Sequence, residues 1–213
     1  MCASLKASLP EVAEDFEIIV VNDGSKAKTV EIADRLVRED GYIRGIHHEK
    51  NLGYGAAIRS GIQACQKEHV FFTDGDNQFD VSQLSHFVPF ISQYDAIIGF
   101  RLNRQDSSVR KANAWTWNRL VRLMFGLKVK DIDCAFKLFH RKVFDDIQLE
   151  SSGAMMSTEI LVKIMKNWYN IREIGVIHSP RLAGKQTGAN FRVILRAFKE
   201  LFRFHKKMKE EIE

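Results

Sequence analysis

The run Val70-Phe71-Phe72-Thr73-Asp74-Gly75-Asp76-Asn77-Gln78-Phe79-Asp80 decides how this 213-residue chain is read. Its opening residues have the apolar, aromatic character of a buried strand, and the acidic octet 73–80 begins where such a strand ends. Residues two apart at a strand end project to the same side, so Asp74 and Asp76 converge there. Two carboxylates with Gln78 close behind make a hard-oxygen set suited to Mg²⁺ or Mn²⁺. Asp, Gly and Asn are also what a turn after any strand prefers. The octet alone supports either reading.

Outward from the octet, strands and helices alternate. Residues 17–21 form a β-rich run ending in Asn22-Asp23-Gly24-Ser25, a turn and helix cap. The spacing of Val30, Ala33, Leu36 and Val37 predicts a helix over 29–38, and 43–47 reads as a short strand. Asn51-Leu52-Gly53-Tyr54-Gly55 opens a helix that runs through Ala56, Ile58, Ile62 and Cys65. After the strand 70–73 come a helix over 83–91 and a strand over 96–100. This order argues for an α/β fold, a parallel sheet covered on both faces. Its ligand crevice falls at the carboxyl ends of the strands, the edge that carries both the 22–25 turn and the 74–80 loop. Further on, the pattern predicts a helix over 109–125, a strand over 134–140, an amphipathic helix over 158–168 and a strand over 171–178. A loop over 180–188 precedes a final helix from about residue 190. No linker-like stretch intervenes, so 1–213 reads as one domain, with a nucleotide-binding half (1–101) and an acceptor half (102–213).

The bulk composition fits this picture. Hydrophobic residues make up 45% and charged residues 28%, ordinary for a soluble globular chain large enough to bury a sizeable core. No apolar run approaches the roughly 18 residues needed to span a bilayer, and Lys6 and Glu11 break any leader-like segment at the start. Cys2, Cys65 and Cys134 are scattered, odd in number and without a CxxC pair, which suggests reduced thiols in a cytoplasmic setting. The formal net charge of +5 suits an anionic partner without choosing one. No recognised nucleic-acid module accompanies the basic residues, so nucleic acid is not expected.

Taken together, several segments resemble family 2 glycosyltransferases, in particular the polyprenyl-phosphate sugar synthases typified by dolichol-phosphate mannose synthase. They are Val20-Val21-Asn22-Asp23-Gly24-Ser25, Asn51-Leu52-Gly53-Tyr54-Gly55-Ala56, Thr73-Asp74-Gly75-Asp76-Asn77-Gln78, Asp131-Ile132-Asp133-Cys134-Ala135-Phe136-Lys137-Leu138-Phe139, and Thr158-Glu159 with the Arg181 loop downstream. Each is weak alone, but their order and spacing cover almost the whole chain. The resemblance implies a Rossmann-related GT-A fold and metal-dependent, inverting transfer of a sugar from a UDP- or GDP-linked donor to a polyprenyl phosphate. It also implies a first strand ahead of 17–21, which this sequence lacks; 1–15 reads instead as the tail of a following helix.

Residue roles follow from the same resemblance. Asp23, Asn51, Gly53, Gly55 and Asp74 match the nucleotide-binding positions. Asp74, Asp76 and Gln78 match the metal-binding ones, for Mg²⁺ or Mn²⁺, and Asp76 and Glu159 match catalytic carboxylates. Arg101, Arg110 and Arg181 match basic contacts to phosphate or acceptor, roles that suit a planar fork able to bind phosphate oxygens in pairs. Glu159 would act as general base only for a hydroxyl acceptor, since a phosphate is already ionised near neutral pH. Asp131 and Asp133 either position the acceptor loop or cap the strand after them. In the tail, Phe191, Ile194, Leu195, Phe198, Leu201 and Phe202 share a helical face beside a basic stripe of Arg192, Arg196, Lys199, Arg203 and Lys206. That pairing suits peripheral contact with an anionic membrane, directly or with a membrane partner subunit, and equally a helix packed on the sheet. Transfer to a saccharide hydroxyl and a shortened, non-catalytic nucleotide- or membrane-binding protein are the alternative readings.

Overall fold

The computed structural model describes residues 1–25, 27–102, 108–180 and 191–210, excluding the side chains of 108–110, 191–194 and 196. In chain order the elements are α1 (Cys2–Ser8), β1 (Ile18–Asp23), α2 (Ala27–Glu39), β2 (Ile43–His48), α3 (Tyr54–Ala64) and β3 (His69–Thr73). They continue with β4 (Ala96–Leu102), α4 (Ser108–Phe125), β5 (Phe136–His140), α5 (Met156–Lys166), β6 (Ile171–Ile177) and α6 (Phe191–Glu210). The alternation read from the sequence is therefore present throughout, with one local difference. Where a helix is expected over 83–91, the chain forms two short 3-10 turns, Val81–His86 and Val88–Phe90. Pro89 has no N–H to donate to a continuous helical ladder, and Leu84 and Phe87 are buried all the same.

The strands lie in two sheets. β1 and β2 pair in parallel, in register from Ile18 opposite Ile43 to Asp23 opposite His48. The other sheet has the order β3-β5-β4-β6, with β4 parallel to β6 and β5 running antiparallel between β3 and β4. The centre of this second sheet is the best-buried part of the molecule: Ala96, Ile97, Ile98, Phe136 and Phe139 are almost wholly enclosed. Packing there is tight enough that a Cβ on Gly99 would lie 2.9 Å from the Phe136 carbonyl oxygen. On one face α5 buries its length from Met156 to Ile164.

No ladder joins β1 to β3 among the described residues. Helix α3 spans them instead. Gly61 brings its backbone against Val21 of β1, where a Cβ would lie 3.3 Å from Cγ2. Ile62, with Ile58 beside it, packs into the cluster holding Val70 and Phe72 of β3. Consistent with one open edge each, β1 and β3 are mostly half-buried. The strand that the resemblance leads one to expect ahead of β1 has no counterpart among the described residues.

The final helix divides its apolar residues between two environments. Ala197, Leu201 and Met208 are buried, Phe198 meets the Trp117 ring edge-on at 5.5 Å, and Phe204 lies 5.4 Å from Phe125. Leu195 and Phe202, by contrast, are exposed. No described helix is long and apolar enough to cross a membrane.

Candidate functional site

Asp23 closes β1 and fixes the loop that follows β2. Its carboxylate accepts the Leu52 and Gly53 backbone N–H groups, each at 2.8 Å, and lies 2.7 Å from His48 Nδ1. Burial alone would raise its pKa, but the His48 contact and the two N–H groups prevail and hold it below the ordinary carboxylate value. Asn51 completes the clamp, its Nδ2 donating to the Asp23 carbonyl at 3.1 Å. Gly24, at φ +66°, is needed for this crossing: a Cβ there would lie 2.3 Å from the Asn51 nitrogen.

The glycines of the 51–55 segment make close protein–protein approaches. Gly53 has φ +103°, and its Cβ would lie 2.4 Å from the Ser152 carbonyl oxygen. Gly55 donates its N–H to that oxygen at 2.8 Å. The 150–152 segment is held in turn by Glu159, whose two carboxylate oxygens accept the Glu150 N–H (2.9 Å) and the Ser151 N–H (2.7 Å). Lys163 Nζ donates to the same carboxylate at 2.8 Å. Glu159 is 1% exposed, and these donors overcome the penalty of burial to lower its pKa. A sunken carboxylate with a lowered pKa and both oxygens engaged is a poor proton acceptor. Its contacts are those of a residue that positions the 150–153 loop.

The acidic octet leaves the end of β3. Asp76 Oδ1 accepts the Gln78 N–H at 3.2 Å, across Asn77, which adopts φ +58°. Gln78 fastens the loop to the exit of β6: its Nε2 donates to the Ser179 carbonyl at 3.1 Å and its own carbonyl accepts the Ser179 N–H at 2.8 Å. Asp80 caps the following 3-10 turn through the Ser82 N–H at 3.0 Å. The Asp74 carboxylate lies beside the Tyr54 hydroxyl. Burial of that hydroxyl, together with the Asp74 and Asp133 carboxylates beside it, pushes the phenol well above its usual range, although the tyrosine as a whole stays 40% exposed. One residue after Gly53, Tyr54 thus links the Asp23 clamp to the octet. Tyr54 has no role in the motif match, and its hydroxyl between Gly53 and Gly55 is the signal that marks it.

Asp133 belongs to a turn with its own supports. Asp131 forms a two-pronged pair with Arg101, from Nε at 2.6 Å and Nη2 at 2.7 Å, and both side chains are largely buried. Desolvation works against the guanidinium's charge, yet the Asp131 carboxylate more than compensates and raises its pKa. Those two Arg101 donors therefore serve the fold. Lys137, fully buried, donates to the Ile132 carbonyl at 3.1 Å and to that of Cys134. Burial drives the Cys134 thiol up to about 12, so it remains a thiol and not a nucleophile near neutrality.

The structure brings Asp23, Asn51, Gly53, Gly55, Asp74, Asp76, Gln78 and Asp133 to one region, while Arg101 and Glu159 face inward onto protein partners. Arg110 lies in the first turn of α4, its side chain outside the described residues, and Arg181 lies outside them altogether. Beside Arg101, a groove along α4 presents Lys111, Trp115, Arg119 and Lys130. Lys111 and Arg119 have no carboxylate partner among the described residues, and the Arg119 guanidinium lies 5.8 Å from the Trp115 ring centre. The Asp74 and Asp76 carboxylates and the Gln78 amide oxygen are hard oxygen donors, chemically apt for a divalent ion.

A sequence profile of glycosyl transferase family 2 matches residues 3–148. Glycosyltransferase AglD of Haloferax volcanii is 32% identical over 186 residues, which cover 84% of this chain and 30% of that protein. Dodecaprenyl-phosphate galacturonate synthase of Rhizobium johnstonii is 26% identical over 203 residues, 92% of this chain and 60% of the relative. The chain thus spans less than two thirds of the length of either relative. Among solved structures, glucosyl-3-phosphoglycerate synthase from Mycobacterium tuberculosis, crystallised with Mn²⁺, UDP-glucose and phosphoglyceric acid, aligns with a TM-score of 0.73 at 15% identity. The alignment covers 95% of this chain and 74% of that one. The likeness is one of fold, the GT-A architecture.

Proposed function

We propose, because the chain belongs to glycosyl transferase family 2, that it moves a sugar from a nucleoside diphosphate to a polyprenyl phosphate, with inversion at the anomeric carbon. The observation that carries this reading is the junction at Gly53–Tyr54, which joins the Asp23 clamp to Asp74 of the octet. A donor lying across that junction has its nucleoside near Asp23 and Asn51 and its diphosphate near Asp74 and Asp76. Asp74, Asp76 and Gln78 would hold Mg²⁺ or Mn²⁺; such an ion, when bound, offsets the charge of the diphosphate. An oxygen of the lipid phosphate attacks the anomeric carbon from the face opposite the leaving group. As the new C–O bond forms, the bond to the β-phosphate oxygen breaks and the nucleoside diphosphate departs with the electron pair.

No general base is needed for an ionised phosphate, which agrees with the inward-facing, donor-saturated Glu159. The saccharide-hydroxyl alternative would need a base that Glu159, so held, is badly placed to provide. The basic α4 groove, with Lys111, Arg119 and Lys130 around Trp115, favours an anionic, partly apolar acceptor head, to which Arg110 and Arg181 would add. The exposed Leu195 and Phe202 on α6, beside exposed Lys199, Arg203 and Lys206, support peripheral contact with an anionic membrane face.

The test is to incubate the chain with Mn²⁺ or Mg²⁺, labelled UDP- and GDP-sugars and short polyprenyl phosphates. Lipid-linked product that disappears in Asp76→Ala is expected. Product formed on a saccharide but on no lipid phosphate would overturn the acceptor assignment.

A further inference from the structure

At the end of β3 away from the octet, the structure holds a second group of metal-ligating side chains that the proposed reaction does not use. His69 and His140 are opposite one another on β3 and β5. The neighbouring pair, 68 and 141, is joined by the Arg141 N–H donating to the Glu68 carbonyl at 2.7 Å. His69 and His140 therefore occupy a non-hydrogen-bonded pair, the position where antiparallel strands bring side chains closest. Their rings meet edge to face with centres 5.2 Å apart. The Glu68 carboxylate bends over the strand end to 3.4 Å from His140 Nε2. One ligand atom from each of Glu68, His69 and His140 lies within 4.8 Å of the others.

One further detail distinguishes this cluster from a chance meeting of polar groups. His69 Nε2 is buried and has no hydrogen-bond partner, a costly state for a ring nitrogen unless something ligates it. His140 is oriented from behind: its Nδ1 accepts the Lys142 N–H at 3.2 Å. In the neutral ring that bond places the proton on Nε2, the nitrogen turned towards Glu68, so ligation through Nε2 requires the proton to move to Nδ1 and the Lys142 contact to be released. We propose that Glu68, His69 and His140 form a binding site for a borderline divalent transition metal, with Zn²⁺ as the reference ion and water in the fourth position. Two imidazoles and one carboxylate match the preferences of Zn²⁺. Tetrahedral coordination at 2.0–2.1 Å needs ligand atoms about 3.3 Å apart. The Glu68 side chain is 73% exposed and can turn inward to close the remaining distance. From His69 to Asp74 the chain advances five residues, or about 16 Å at strand rise, so this site is separate from the octet. A metal here would clamp the start of β3 to the end of β5 and brace the strand that carries Asp74 at its other end.

The experiment uses the whole chain, stripped with chelator, in an Asp76→Ala background that weakens the octet as a competing site. Zn²⁺ titration by calorimetry, with native mass spectrometry to count bound ions, is expected to give one ion per chain and a rise in Tm. His69→Phe keeps the ring packing and His140→Asn keeps an acceptor for the Lys142 N–H, so both variants should fold. Each should weaken Zn²⁺ binding at least tenfold and abolish the rise in Tm, while Glu68→Gln should weaken it several-fold. Absence of Zn²⁺ binding in the parent chain would overturn the proposal. So would affinity that is unchanged in the two histidine variants.

Discussion

The carboxylates on the two sides of the Gly53–Tyr54 junction are used differently. On the inner side, Asp131 and Glu159 are buried and matched to fixed cations, Arg101 and Lys163, with backbone N–H groups completing Glu159's shell. On the octet side, Asp76 is half-buried and accepts a backbone N–H at 3.2 Å, and Asp74 lies beside the Tyr54 hydroxyl and the Asp133 carboxylate. Charge balanced by the protein itself belongs to the fold. Charge concentrated at a strand end, next to more negative charge, suits a cation or ligand brought from outside. The same residue type therefore predicts opposite phenotypes on the two sides.

The sharpest way to break this contrast is to neutralise one member of each inner pair. Asp131→Asn or Glu159→Gln leaves a buried cation without its partner and is expected to cost about 3–5 kcal/mol of stability, read as a lower urea midpoint. If either variant instead kept its stability and lost only turnover, the inner carboxylate would belong with the octet. The reciprocal test is Asp76→Ala, which should lower sugar transfer roughly 10²–10³-fold, the scale for losing one electrostatic contact in the transition state. Its urea midpoint should move by no more than about 1 kcal/mol.

Gly53→Ala probes the junction itself. A side chain at φ +103° that meets the Ser152 oxygen at 2.4 Å should destabilise by about 1–3 kcal/mol. It should also reduce transfer, because the Asp23 clamp and Tyr54 are displaced together. The smallest effect expected is on the acid limb. Asp23 and Glu159 both have folded pKa values below their ordinary 3.8 and 4.5, so at low pH the unfolded chain binds more protons than the native one. Their contribution is complete above about pH 5 and is lost as pH falls through the lowered values. Urea midpoints measured from pH 7 to pH 3 should stay level and then drop, with a shallower drop in Asp23→Asn.

Local patterns carried the order of elements and the octet, because strand and helix periodicity is written into neighbouring residues such as Val70–Phe72 and Val30–Val37. Partnerships between distant residues were not visible. Nothing near Arg101 announces that Asp131 will take its guanidinium, nor does Thr158-Glu159 show that the carboxylate will turn back onto residues 150 and 151. The 51–55 glycines match nucleotide-binding positions, but the sequence does not say that Ser152 packs against Gly53. Within 83–91 the apolar spacing reads as one helix, but Pro89 breaks its ladder into two 3-10 turns. The Glu68, His69 and His140 cluster joins residues 71 positions apart, and only the pairing of β3 with β5 brings them together.

The division between the two sheets has a dynamic consequence. Among the described residues β1 and β2 meet the rest of the fold through α3 and the Asp23 clamp and share no ladder with the larger sheet, so in this structure they can open as a unit of their own. Amide hydrogen exchange should show β1 and β2 losing protection at a lower free energy than β4 and β5. A donor bridging Asp23 and Asp74 would tie that unit to the rest and slow its exchange in proportion to donor occupancy. On this view the small sheet is a jaw whose closure is set by its cargo, and exchange at β1 is a gauge of how full the jaw is.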